Sequence, residues 1–196
     1  MTSEPSSYTS LRKYYKISYH QIEPRDLVTN LKNESDRSLV VVWVSVLEDA
    51  LTLEIKKKFR AMEEKEEKAL RLYLPEGPIG SFSLKINVSY AMQIIDEPTR
   101  QSLTDIREMR NACAHSFKPI GFETKELVTV FKRVFGDDRD SLITMPPDDA
   151  ATDLLRDTFS YQCIALLMTI THGSRDAARE VITGLIEEDQ KRPRAT

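Results

Sequence analysis

Apolar residues recur at helical spacing along most of this chain, and strand-like runs joined by hairpin turns are missing. The strongest stripe lies in residues 36–60, where Leu39, Trp43, Val46, Leu47, Ala50, Leu51 and Leu53 fall on one side of a helix. The β-branched run Val40–Val42 favours a strand locally. Length decides, because a span of roughly 25 residues without a turn signal is too long for an ordinary strand. Ser35 or Asp36 supplies the cap at its start.

Other segments follow the same period. Pro24 suits the first turn of a short helix over Pro24–Lys32. The charge cluster Glu63–Lys68 reads as a solvated helix face. Leu74–Gly80, with two prolines and two glycines, breaks the pattern before Ser81 or Ser83 caps a helix reaching about Ile95. Glu97-Pro98 opens a helix to about Ser116. Leu127, Val130, Phe131 and Val134 mark another, stopped at Gly136. A polar connector over residues 137–149 contains Pro146-Pro147. A long helix then runs from about Asp149 to His172, breaks at Gly173, and leads to a last helix from about Ser174 to Glu187. The expected fold is all-α, a single-domain helical bundle of about six or seven helices. Leu39–Phe59, Ser83–Ile95, Ser102–His115 and Leu154–Ile170 form its centre. Helix exceeds half of the chain, with essentially no sheet. Residues 1–20 read as a flexible N-terminal segment, 21–190 as the helical domain and 191–196 as a tail. Tyr14, Tyr15 and Tyr19 lie among Lys and Arg in that first segment, as a short packed element or part of a partner surface.

Bulk numbers narrow this picture. A length of 196 residues suits one core and crowds two. With 30% charged and 40% hydrophobic residues, the composition is that of a water-soluble globular protein. A net charge of -3 removes any overall pull toward nucleic acid, so such binding needs a local basic patch. Cys113 and Cys163 sit in apolar helical stretches and read as reduced, buried small hydrophobes. No run of about 18 apolar residues and no apolar signal core occur, so a cytoplasmic protein without membrane contact is expected. Gly77-Pro78-Ile79-Gly80 lacks the Lys-Ser/Thr of a phosphate loop, and no Gly-x-Ser-x-Gly element occurs. No His, Cys, Asp or Glu set has zinc-ligand spacing, so neither a metal nor another cofactor is expected.

Polar chemistry concentrates in Arg110-Asn111-Ala112-Cys113-Ala114-His115. On a helix over 103–117, Leu103, Ile106, Met109, Cys113, Ala114 and Phe117 gather into one apolar arc. Arg107, Asn111 and His115 stack beside it. Arg110 points into the apolar arc, where an unpaired guanidinium costs several kcal/mol. It therefore needs a partner, with Asp49 and Asp105 the candidates, or a cleft or subunit interface to point into. The bland reading is a structural arginine stapling helices, whose removal costs several kcal/mol. The sharper reading is a metal-independent ribonuclease site shared across a two-fold dimer. Arg110 holds phosphate, His115 moves protons, and Asn111 orients phosphate or imidazole. A homodimer whose interface includes Arg107–Phe117 is expected. His172 reads as a helix-terminal residue favoured by the dipole, and His20 stands alone.

The runs Gly77–Ile86, Ser89–Ile95 and Ile106–Asn111, with Ala114-His115, resemble the mannitol operon repressor (MltR-like) family over about residues 35–135, more weakly through the last long helix. One departure is Gln93, where that pattern, Tyr-x-Leu-Gly-Leu-Ile, carries glycine. The resemblance implies an all-helical fold and a role in transcriptional control exerted through another protein, since no helix-turn-helix is evident. Arg110–His115 alone also resembles the signature of HEPN domains, helical modules that include toxin ribonucleases. In active members the matching arginine and histidine are catalytic, which carries over to Arg110, Asn111 and His115, with RNA as substrate. A direct DNA-binding repressor is the weakest reading, given the acidic balance.

Overall fold

The structure is a computed structural model in which residues 23–135, 151–173 and 175–191 are described. The described residues contain eight helices and no strand: α1 Pro24–Leu31, α2 Asp36–Lys58, α3 Glu64–Leu70, α4 Phe82–Ala91, α5 Glu97–His115, α6 Lys125–Phe135, α7 Thr152–His172 and α8 Arg175–Lys191. The all-α expectation holds. The helix beyond the expected number is α3, where the Glu63–Lys68 charges form a short helix of their own. Glu67 pairs with Lys56 and Glu66 with Arg60, tying α3 back to the end of α2.

Local chemistry sets the boundaries. Ser35 accepts from the Ser38 N–H at the start of α2, and Ser81 from the Leu84 N–H at the start of α4. Asp96 does the same for α5 through the Thr99 N–H, with Pro98 in the first turn. α7 ends at Gly173 in the left-handed region. Between α3 and α4 the chain folds on itself. A Cβ at Gly77 would lie 2.0 Å from the Arg71 carbonyl oxygen, and one at Gly80 2.0 Å from that of Leu74. Both glycines therefore serve close backbone approach.

α2 runs through the middle, against α4, α5 and α7, while α6 packs on α5 and α8 on α7. The four segments expected at the centre are there. Leu39, Val40, Trp43, Val44, Leu47, Ala50, Leu51 and Ile55 of α2 are buried, and Val46 packs partly against this core. The stripe is broader than the sequence reading because α2 has neighbours on several sides. Trp43 is fully buried, and its indole N–H donates to Ser160 Oγ on α7 at 3.2 Å. Phe122, Phe131 and Phe159 meet edge-on or tilted, with centroids 5.5–6.0 Å apart. The N-terminal tyrosines, His20, the connector with Pro146-Pro147 and the last five residues lie outside the described residues. No helix among the described residues is long and apolar enough to cross a membrane.

Candidate functional site at the corner of three helices

α4 is short and mostly apolar, yet its buried face reads Phe82, Lys85, Ile86, Ser89. A lysine on that face has to find an anion, because an unpaired ammonium cannot be desolvated cheaply. It finds Glu48 of α2: Lys85 Nζ lies 2.7 Å from Glu48 Oε1, and the two side chains are 8% and 22% exposed. Arg110 of α5 reaches the same carboxylate from the other side, with a guanidinium nitrogen 3.9 Å from Glu48 Oε2. Its nearer contact is with the next residue, Arg110 Nη1 donating to Asn111 Oδ1 at 3.1 Å.

The acidic partner of Arg110 is thus Glu48, one residue before the expected Asp49. Asp105 is held instead by Arg133 of α6 at 2.5 and 3.2 Å. Arg110 is also less buried than its helical direction implies, with its side chain 32% exposed. The apolar arc ends sooner than expected. Ser116 is extended, with φ -67° and ψ 133°, so Phe117 leaves the helix and stands fully exposed, and Ala114 is exposed too.

His115 is exposed in the last turn of α5. Five residues of helix separate it from Arg110, which turns the two side chains about 140° apart around the axis. One chain therefore does not bring Arg110 and His115 face to face, whereas Asn111 and His115, four apart, share a side. Cys113, between them, lies in the core. Burial pushes its thiol up to about 11, the nearby Arg37 pulls it down less, and Asp36 adds a small rise. Burial likewise raises the Cys163 thiol well above its ordinary value. Neither supplies a thiolate near neutral pH.

The loop after α5 is braced from below. Arg37 donates to the Ser116 carbonyl at 2.5 Å, the Phe122 N–H donates to Asp36 Oδ2 at 2.8 Å, and Arg156 of α7 pairs with Asp36. Arg156 also donates to the Glu34 carbonyl at 2.5 Å. Phe117 is therefore an exposed ring on a loop whose neighbours are fixed.

Glu48 and Lys85 escaped the sequence reading. Lys85 was findable: it occupies the position three after Phe82 on the buried face of α4. Glu48 was not, because nothing local separates it from Asp49.

No protein-family model and no curated protein matches the chain. Among solved structures the chain is similar to a chain of the MtlR–HPr complex from Escherichia coli. The TM-score is 0.52 and the identity 17%, over 83% of this chain and 97% of that one. At that identity the likeness shows a shared helical fold.

Proposed function

We propose that this chain is a regulatory protein of the MltR-like kind that acts by binding another protein. The observation that carries the reading is the fold likeness, over nearly all of the other chain, to a protein crystallised as one half of a two-protein complex. The independent resemblance of residues 35–135 to the mannitol operon repressor family points the same way. The exposed Phe117 adds a physical reason: Arg37 holds the Ser116 carbonyl beside it, so the backbone beneath this ring has little freedom left to lose on docking. A net charge of -3 favours a protein over DNA as the direct contact. The test is titration calorimetry of the full chain with HPr as first probe. Association at roughly micromolar concentration, weakened about tenfold or more by Phe117→Ala, is expected. No heat at roughly millimolar HPr rules out an HPr-type partner.

A second reading keeps one observation of its own. Arg110 is partly exposed and bonded to Asn111, and His115 is open at the helix end. In a HEPN-like endoribonuclease Arg110 steadies the scissile phosphate and His115 takes the ribose 2′-hydroxyl proton. The 2′-oxygen attacks phosphorus as the P–O5′ bond breaks, the 5′-oxygen leaves as a hydroxyl on taking a proton from the protonated imidazole or from water, and a 2′,3′-cyclic phosphate remains. Because the two side chains diverge within one helix, this reading requires a homodimer that pairs two α5 helices. RNA cleaved in chelator, with His115→Ala inactive but melting as wild type, is its signature. Intact RNA with wild-type protein ends it.

A further inference from the structure

The charges at the α2–α4–α5 corner do not cancel. Lys85 and Arg110 share a single carboxylate, Glu48, which leaves the group with one positive charge in excess. The excess is not spread evenly. Lys85 is buried and close to Glu48 at 2.7 Å, so that pair is complete. Arg110 stands 3.9 Å off, outside hydrogen-bond length, and is the least buried of the three. A guanidinium carries five N–H donors in a planar fork, and the contact with Asn111 Oδ1 uses one nitrogen. With its carbonyl oxygen turned to Arg110, Asn111 has its amide N–H groups left to donate beside that fork.

We propose that Arg110 and Asn111, held in place by the Glu48–Lys85 pair, recognise one carboxylate on a partner protein, an Asp or Glu side chain. This deepens the protein-binding reading and rests on it. The charge count selects the ligand. One excess positive charge is matched by one carboxylate, which the guanidinium grips through two parallel N–H donors. A nucleic acid backbone brings many negative charges. It would meet Glu48, the exposed Glu108 two residues before Arg110, and a chain of net charge -3. Glu48 acts as a positioning residue: anchored by Lys85, it draws Arg110 toward the corner without consuming its donors. Little rearrangement is then needed when the partner's carboxylate arrives.

The test follows the arginine Nε–H and asparagine side-chain amide signals of the 15N-labelled full chain by NMR. N-acetyl-glutamic acid amide, inorganic phosphate and a short single-stranded RNA are titrated in parallel. Saturable shifts of Arg110 and Asn111 with the glutamate probe at roughly millimolar concentration are expected, with the Arg133 signal unmoved. Arg110→Lys, which keeps the charge and loses the fork, is expected to weaken the effect about tenfold. An unmoved Arg110 signal, or an Arg133 signal that saturates equally, overturns the proposal. Tighter binding of RNA or phosphate than of glutamate overturns it in favour of a phosphate ligand. HPr binding that leaves Arg110 unmoved ends this site and keeps the protein-binding reading. Saturable glutamate capture without HPr binding supports the site and ends the HPr-type partner.

Discussion

One helix, α2, serves two neighbourhoods of opposite character. Trp43 sends its ring into a closed apolar centre and reaches Ser160 of α7 with its one polar atom. Five residues on, Glu48 faces α4 and α5 and collects two cations. On the Trp43 side position is set by volume, because close-packed carbon leaves no cheap alternative. On the Glu48 side it is set by charge, and the least buried of the three charges, Arg110, keeps part of its side chain in contact with solvent. A single helix thus fixes one neighbour by shape and two others by charge.

The largest effect is expected at the apolar pole of α2. Trp43→Ala removes a fully buried ring and leaves Ser160 Oγ, itself buried, without its donor. A loss of about 3–5 kcal/mol in denaturant unfolding is expected. A loss below about 1 kcal/mol would show that the centre collapses around the gap and that volume does not set position there. The polar pole comes next. Glu48→Ala strands the buried Lys85 ammonium, and about 2–4 kcal/mol is expected, since a truncated ion pair leaves its partner uncompensated. Adding Lys85→Met to that variant should recover much of the loss, because the stranded charge is then gone. If both variants melt alike, Lys85 finds another anion and the corner is less specific than its geometry suggests.

A smaller effect sits where α4 turns into α5, the bend that aims Lys85 and Arg110 at one carboxylate. Ile94 N–H donates to the Ser89 carbonyl and Gln93 N–H to that of Tyr90, the two bonds of a glycine-type helix stop. Gln93 occupies its left-handed position with φ 57°. The MltR-like pattern that the sequence resembles carries glycine here, the residue that enters the left-handed region without strain. Gln93→Gly relieves left-handed strain of about 1 kcal/mol and loses part of that to a freer unfolded chain. A rise in stability of about 0.5 kcal/mol is expected from the shift in melting temperature. A fall would show that the Gln93 side chain makes a stabilising contact worth more than the strain.

What the sequence disclosed and what it withheld divide along physical lines. Helix existence was legible because periodicity and caps are local: Ser35, Ser81 and Gly173 act where their neighbours said they would. The exposure of Phe117 was not, because the arc was drawn on a helix continuing past His115. The Arg37 hydrogen bond that holds the Ser116 carbonyl comes from a residue 79 positions away. The partner of Arg110 was missed for the same reason. Asp49, Glu48 and Asp105 are equivalent by composition, and only the packing of α6 against α5 gives Asp105 to Arg133.

A second small effect is the most informative about function. If Arg110 were a buried staple, Arg110→Ala would cost several kcal/mol, as its place on the helix first suggested. In the structure its side chain is 32% exposed and its carboxylate partner is 3.9 Å away and already paired with Lys85. A pair of that kind contributes about 1 kcal/mol or less, with solvent screening the rest. Arg110→Ala should therefore melt within about 4 °C of wild type, well short of Glu48→Ala, although both remove one member of the same cluster. A variant that melts as early as Glu48→Ala would return Arg110 to a structural role and remove the case for any ligand there. A variant that melts late places the positive charge of Arg110 outside the stability of the fold, which is the condition a binding residue has to meet.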